Sequence, residues 1–212
     1  MRSALIAALA YAGTLAVPAP AAESPRAVVE ATTSAVIAVL AHKDLSTDEK
    51  RRRVEETVYR RVDFDTLSRL VLGRDWNQLS EEQRGEFERE FKQILSATYG
   101  RNVERYKNER VTIVDDRQEA RGDWTVRTKI VDHGSDDISV DYRLRQTDGT
   151  WKIIDVTIEG VSLVSNYRSQ FQEIMTNGGI DRLLELLREK NARGEPLPAP
   201  KGARGGTSGN TA

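Results

Sequence analysis

Residues 138–158 read ISVDYRLRQTDGTWKIIDVTI and contain two runs in which apolar and polar residues alternate. A period of two places the apolar side chains on one face of a β-strand and the polar side chains on the other. Asp148 and Gly149 stand between the runs, and an Asp-Gly pair is typical of a tight hairpin turn. The segment therefore predicts an antiparallel hairpin with one solvated face. In the second run, one face of the strand is expected to contain Ile154, Val156 and Ile158.

The same alternation precedes this hairpin in the chain. Residues 111–114 and 124–130 predict two more strands, the second with Trp124 and Ile130 on its apolar face. Short turns separate these runs, so consecutive strands can pair as neighbours. We therefore expect an antiparallel meander.

Helical spacing replaces the alternation on both sides of the sheet. Before residue 110, apolar residues recur every three or four positions, and Ser80 with Gln83 forms a capping box that begins one helix. After Gly160 the helical spacing returns, and the Asn-Gly-Gly run at 177–179 predicts a break between two C-terminal helices. This order of elements predicts an α+β fold.

The two ends of the chain differ from the domain between them. Residues 1–22 contain an apolar run of about 14 residues, too short to span a bilayer, followed by an Ala-x-Ala-like cleavage site, and predict a secretory signal peptide. Residues 194–212 are rich in Pro and Gly without periodicity and predict a disordered tail. The domain is therefore expected at 23–193, in an exported protein for which the periplasm is the expected location.

Composition excludes several classes of function. The 212 residues include no cysteine, which excludes disulfides, thiol nucleophiles and thiolate metal sites. The formal net charge of −1 argues against a nucleic-acid partner. His42 and His133 lack the spacing of metal ligands, and no phosphate loop, dinucleotide fingerprint or nucleophile elbow is present. We therefore predict no metal, no cofactor and no catalytic residue.

Asp155 leaves two interpretations open, because it lies between Ile154 and Val156 in a strand. An inward carboxylate must be hydrogen-bonded or have a raised pKa, and a buried acid could serve a small proton-transfer enzyme. Alternatively, Arg143 or Arg145 on the preceding strand pairs with it, and its role is structural. The structural interpretation is the one we favour.

Three segments carry a pattern that extends beyond secondary structure. They are residues 62–95, the Thr98-Tyr99-Gly100 turn with Tyr106, and residues 151–171, which contain DVTIEGVS followed by Tyr167 and Arg168. Together they resemble the MlaC family, also called the toluene-tolerance or auxiliary ABC-transport family. The resemblance covers residues 27–190.

The resemblance implies a periplasmic phospholipid carrier rather than an enzyme. Such a carrier moves lipid between an outer-membrane lipoprotein–porin complex and an inner-membrane ABC transporter with MCE-domain rings, which maintains outer-membrane lipid asymmetry. The implied fold is a bent antiparallel sheet packed with several helices around an apolar cavity, broadly like the nuclear-transport-factor class. The acyl chains are expected in the cavity, with the head group near solvent.

Apolar side chains of the strands and helices are the candidates for the cavity wall. Spacing alone favours a filled core, in which case the chain is an exported interaction module without a ligand, and only the family resemblance favours a cavity. Arg101 and Arg168 are candidate phosphate contacts. The predicted lipid-binding residues are Phe91, Leu95, Tyr99, Val103, Tyr106, Val126, Val140, Tyr142, Leu144, Val156, Ile158, Val161, Tyr167 and Phe171.

Overall fold

The computed structural model describes residues 23–100, 103, 106, 108–131 and 137–198. The predicted signal peptide, Arg101 and the tail beyond Pro198 lie outside the described residues. The helices are α1 (Pro25–Ala41), α2 (Thr47–Tyr59), α3 (Phe64–Leu72), α4 (Glu81–Tyr99) and α5 (Leu163–Ala192), with short 3-10 helices at Gly73–Gln78 and Ala120–Gly122. Within the described ranges, no helix is long and apolar enough to cross a membrane.

The strands form one antiparallel sheet whose spatial order equals their order in the chain. The strands are β1 (Arg110–Gln118), β2 (Trp124–Val131), β3 (Ile138–Thr147), β4 (Thr150–Ile158) and β5 (Val161–Ser162). Asp148 and Gly149 have φ values of 49° and 74°, which a two-residue hairpin turn requires at both central positions. The predicted α+β fold and the antiparallel meander are confirmed.

Two bulges bend the sheet and change one sequence-based assignment. Val114 is the extra residue in β1, and Ile154 is the extra residue in β4. A bulge shifts the alternation of faces by one residue. Ile153, rather than Ile154, therefore pairs with Leu144 and shares the apolar face with Val156, so the assignment of Ile154 to that face is wrong.

The helix boundaries follow from local capping chemistry. The predicted capping box is confirmed, since the Ser80 hydroxyl accepts from the Gln83 amide at 3.2 Å while the Gln83 side chain accepts from the Ser80 amide at 3.0 Å. The predicted break at 177–179 is confirmed, since Gly179 has φ = 67° and ψ = −168°, which are not helical values. The range given for α5 therefore contains two helical segments that meet in a kink at Gly179, where the positive φ favours glycine.

Buried apolar residues fall into two clusters. The first, which we call the helical core, joins α3, α4 and α5 and includes Phe87, Phe91, Tyr167 and Phe171. Leu197, within the segment whose composition predicts a tail, also packs into the helical core. The second, the sheet cluster, lies between α1 and the sheet and consists of Val28, Val29, Val126, Leu144 and Ile153.

The connection between α2 and α3 links the helices to the sheet at the β4 bulge. Ile153 donates its amide to the Arg61 carbonyl at 2.8 Å and accepts from the Asp63 amide at 2.9 Å. These bonds satisfy backbone groups that the bulge and the strand edge would otherwise leave unpaired. Asp63 also caps α3, accepting from the Thr66 amide at 2.9 Å, so this connection fixes where α3 begins beside the sheet.

Candidate functional site

The apolar face of the sheet is covered unevenly. At one end, Val28 and Val29 of α1 cover three fully buried side chains, which are Val126, Leu144 and Ile153. Towards the other end, Val140 and Thr128 on the same face are also buried, but the residues around them are only half-buried: Val111, Ile113, Ile130, Ile138, Tyr142, Val156, Ile158 and Val161. The apolar surface therefore extends beyond the side chains that cover it.

Parts of three helices also remain only partly buried. No residue of α2 is fully buried. In the second half of α1, Val36, Ile37 and Val39 are half-buried, although Val28 and Val29 in its first half are fully buried. Leu95 and Tyr99, near the end of α4, are also half-buried. We call this set, together with the half-buried residues of the sheet, the open apolar region.

The two tyrosines of the open apolar region are enclosed by protein atoms although part of each side chain remains exposed. Tyr142 is half-buried by surface area, yet burial raises the pKa of its hydroxyl to about 12. Burial, with a contribution from the adjacent Tyr167, also raises the pKa of Tyr99 well above its ordinary value. In both residues, burial disfavours the charged phenolate.

Three of the predicted lipid-binding residues lie together in the helical core. The ring of Tyr167 lies 5.1 Å from that of Phe91 and 5.7 Å from that of Phe171, measured between centroids. These contacts fill the space between α4 and α5 with aromatic rings, an arrangement that stabilises beyond simple area burial. The hydroxyls of Tyr167 and Tyr99 are buried and have no hydrogen-bond partner among the described residues.

The other predicted residues divide between the sheet cluster and the open apolar region. Val126 and Leu144 are in the sheet cluster, with Tyr142 and Val156 packed against it. Val140 is also buried, while Leu95 packs against the edge of the helical core. The predicted residues that remain half-buried away from both clusters are Tyr99, Val103, Tyr106, Ile158 and Val161. The fourteen residues thus do not line one continuous surface.

Asp155 has the structural role that we favoured from the sequence. Its carboxylate accepts from the Ser162 hydroxyl at 2.6 Å and from the Val164 amide at 3.1 Å. Arg143 lies 3.7 Å away, whereas Arg145 instead makes a bidentate pair with Asp123 at 2.7 and 2.8 Å. The carboxylate therefore holds the start of α5 against β4, and both of its oxygens are occupied.

The DVTIEGVS motif is explained by the turn that precedes α5. Glu159 and Gly160 have φ values of 49° and 78° and form the tight turn between β4 and β5. Glu159 donates its amide to the Ser139 carbonyl at 3.0 Å, and its carboxylate accepts from the Ser139 amide. Ser162 then caps α5 by accepting from the Ser165 amide at 3.1 Å. The motif positions α5 on the sheet.

Comparison with known proteins identifies the family. The family model described as MlaC protein matches residues 30–189. This chain belongs to the MlaC family. The resemblance noted in the sequence is therefore confirmed.

Two curated relatives have low sequence identity to this MlaC-family chain, but their alignments cover more than half of its length. Toluene tolerance protein ttg2D of Pseudomonas putida is 24% identical over 171 residues, which are 76% of this chain and 77% of the relative. The intermembrane phospholipid transport system binding protein MlaC of Haemophilus influenzae is 24% identical over 132 residues, covering 60% of this chain and 62% of the relative.

One solved structure has the same fold over almost its whole length. It is a phospholipid-binding protein from Ralstonia solanacearum in complex with a phospholipid. The two structures superpose with a TM-score of 0.72 at 27% identity, over 80% of this chain and 97% of the Ralstonia chain. The α+β architecture described above is thus that of a protein whose structure contains a bound phospholipid.

The opposite, charged face of the sheet contains a cavity that sequence reasoning missed. The cavity has a volume of about 490 Å³, and three arginines line it: Arg117 of β1, Arg143 of β3 and Arg168 of α5. Arg168, a candidate phosphate contact, donates from Nε to the Leu70 carbonyl at 2.8 Å. In the sequence, only the arginines and threonines at the polar positions of the alternating strands pointed to this cavity. The same residues are also expected on an ordinary solvated face of a sheet, so they did not predict it.

Proposed function

We propose that this chain is a periplasmic phospholipid carrier that holds acyl chains in the open apolar region. The observation that carries the proposal is the shared fold with the Ralstonia phospholipid-binding protein, whose structure contains a phospholipid. The open apolar region supports it, because its side chains are surrounded by apolar atoms but not fully covered. Residues 23–193 constitute the binding domain in this proposal, preceded by a signal peptide at 1–22.

Apolar burial alone supplies enough free energy for such binding. Two acyl chains offer roughly 30 methylenes, so at about 0.8 kcal/mol each their burial contributes on the order of 20 kcal/mol before the costs of binding. No catalytic group is required, and the proposal assigns none. Asp155, the one candidate for proton transfer, has both oxygens engaged in fixing α5.

The predicted binding residues divide into two roles under this proposal. Those in the open apolar region, such as Tyr142, Val156 and Ile158, contact the acyl chains directly. Those in the helical core, such as Phe91 and Phe171, stabilise α4 and α5 against one another. The hydroxyls of Tyr99 and Tyr167 lie near the boundary between these regions.

The proposal includes exchange of lipid with two membrane complexes. The Haemophilus relative is named as the binding protein of an intermembrane phospholipid transport system. We accordingly propose that this chain exchanges lipid with an inner-membrane ABC transporter with MCE-domain rings and with an outer-membrane lipoprotein–porin complex. Transfer of fluorescent phospholipid between vesicles that contain each complex, with and without this chain, measures that step.

Native mass spectrometry of the purified mature chain tests the binding itself. We expect a phospholipid mass on the wild-type chain and its loss from Val156→Glu, because a carboxylate in the open apolar region opposes acyl-chain burial. Val114→Glu is the matched control, since Val114 lies on the same sheet but is 55% exposed. That variant should retain its lipid.

The alternative of an interaction module with a filled interior predicts different results. It predicts no phospholipid on the wild-type chain after mild purification. It also predicts that Val156→Glu lowers the unfolding temperature without changing the amount of bound phospholipid. Either result contradicts the carrier proposal.

A further inference from the structure

We propose that the cavity on the charged face of the sheet binds a phosphate group, as a ligand site separate from the open apolar region. Three guanidinium groups reach it from three different elements, with Arg117 on β1, Arg143 on β3 and Arg168 on α5. Planar guanidinium groups match the geometry of phosphate oxygens and bind them bidentately. The proposal does not depend on the chain being a lipid carrier.

Part of the donor capacity of Arg143 and Arg117 is not used within the described residues, whereas Arg168 donates from Nε and Nη2 to the Leu70 carbonyl. Arg143 Nε is buried without a hydrogen-bond partner in the described residues, and Arg143 Nη2 lies 3.7 Å from Asp155, which is too long for a hydrogen bond. Arg117 donates from Nε to Glu119 at 2.8 Å, and this bond does not involve its terminal amino groups. A buried donor without an acceptor is costly, so an oxyanion that accepts from Arg143 would be stabilised there.

Two carboxylates line the same cavity, and they differ in how many of their oxygens accept hydrogen bonds. Asp155 keeps its negative charge, although Ser162 and Val164 donate hydrogen bonds to both of its oxygens. Asp141 has an oxygen without a hydrogen-bond partner in the described part of the chain, and its charge opposes an anion. Three guanidinium groups therefore face two carboxylates, and removal of the Asp141 charge should strengthen phosphate binding.

The size and position of the cavity indicate an esterified or free phosphate rather than an acyl chain. The volume of about 490 Å³ exceeds what a single phosphate requires, so the group attached to an ester also fits. The lining includes the hydroxyl residues Thr125, Thr157, Ser162 and Ser165, but only Leu70 and Val164 are apolar. The strands place this lining on the face opposite Val156 and Tyr142, so the two ligands would not compete.

Isothermal titration calorimetry of the mature chain with inorganic phosphate and with glycerol 3-phosphate tests the proposal. We expect saturable binding of at least one of the two probes. Arg143→Gln should weaken it by about tenfold or more, as loss of a charge-assisted hydrogen bond predicts. Arg117→Gln serves as a second variant if Arg143→Gln fails to fold. Asp141→Asn should tighten binding several-fold.

Lys129→Gln is the matched control, because it removes a cation from the same face of the sheet outside the cavity. Equal weakening by Lys129→Gln and Arg143→Gln, or no saturable binding of either probe, would overturn the proposal. Tighter binding of inorganic phosphate identifies free phosphate as the ligand, and tighter binding of glycerol 3-phosphate identifies a lipid-type phosphate ester. Equal affinity supports a site that recognises the phosphate group alone. Native mass spectrometry of Arg143→Gln should still show bound lipid if the carrier proposal is correct, so the two proposals can fail separately.

Discussion

The helical core and the open apolar region use the same kinds of residue but differ in how completely those residues are covered. In the helical core, Phe87, Phe91 and Ile94 of α4 are at most 1% exposed, and Phe171 of α5 packs against both phenylalanines. In the open apolar region, Val156 and Ile158 of β4 remain half-buried. The helical core therefore stabilises the domain, whereas the open apolar region retains partly exposed apolar surface, which we propose binds the lipid.

Under the carrier proposal, stability and binding are located in separate parts of one small domain. An interior that is filled by its own side chains cannot accept an acyl chain without unpacking. An apolar surface that is half covered gains free energy when a ligand completes its burial. Each prediction below compares a residue of one region with a matched residue elsewhere.

The largest expected difference is between two isoleucines. Ile94→Ala in the helical core should lower the free energy of unfolding by about 2–5 kcal/mol, because it leaves a cavity in a close-packed interior. Ile158→Ala in the open apolar region should cost about 1 kcal/mol, since little packing surrounds the deleted atoms. Urea unfolding of both delipidated variants measures the two values. Equal losses would show that the two regions are packed alike.

The next prediction concerns the link between the sheet and α5. Asp155→Asn should cost about 1–3 kcal/mol, because an amide cannot accept from both Ser162 and Val164 as the buried carboxylate does. Asp115→Asn, which breaks an exposed pair with Arg127, should cost clearly less, because exposed ion pairs contribute little to stability. Thermal unfolding of both variants compares them. A stable Asp155→Asn protein that has lost turnover of a small molecule would instead support the enzyme alternative.

Two glycines in helices should respond in opposite directions. Gly179→Ala places a side chain at φ = 67° in the α5 kink and should destabilise by about 1 kcal/mol. Gly85→Ala in α4, where an added Cβ meets only the tip of Arg89 at 3.9 Å, should stabilise by up to about 1 kcal/mol. Calorimetric melting curves of the pair give the sign of each. Stabilisation by Gly179→Ala would show that the kink is not required for packing.

The smallest effect concerns two tyrosines whose pKa values burial raises to about 12. A tyrosine pKa above its ordinary value contributes stability that is present below pH 10 and lost as the pH rises to about 12. Removal of lipid should lower the pKa of Tyr142, because water replaces acyl chains around it. The pKa of Tyr59, which packs against the helical core and donates to the Lys92 carbonyl, should not change. Difference absorbance titrations with Tyr142→Phe and Tyr59→Phe separate the two, and equal shifts would contradict the assignment.

Local sequence patterns predicted the helices and strands of this fold, but not which apolar residues would be fully buried and which only half-buried. The capping box at Ser80 and the turn at Asp148-Gly149 depend on neighbours in the chain, so the sequence contains them completely. Phe91 and Tyr142 occupy similar apolar positions in the sequence, yet Phe91 is fully buried in the helical core and Tyr142 is only half-buried. Periodicity identifies the face of a residue, but not how closely the neighbouring elements approach that face.

Two further features depended on contacts between distant parts of the chain. The bulge at Ile154 changed which isoleucine faces the sheet cluster, and nothing in the alternation of β4 indicates an extra residue. The cavity on the charged face forms only because α5 brings Arg168 beside Arg117 and Arg143. Neither feature can be read from the residues of a single strand.

Hydrogen exchange measured with and without bound phospholipid tests the central claim most directly. If the open apolar region binds the lipid, amides of α2 and of the β4 residues around Val156 and Ile158 gain protection when lipid is present. Amides of α4 and α5 around Phe91 and Phe171 should exchange at the same rate in both states. Protection gained mainly in the helical core, or nowhere in the domain, would contradict the account.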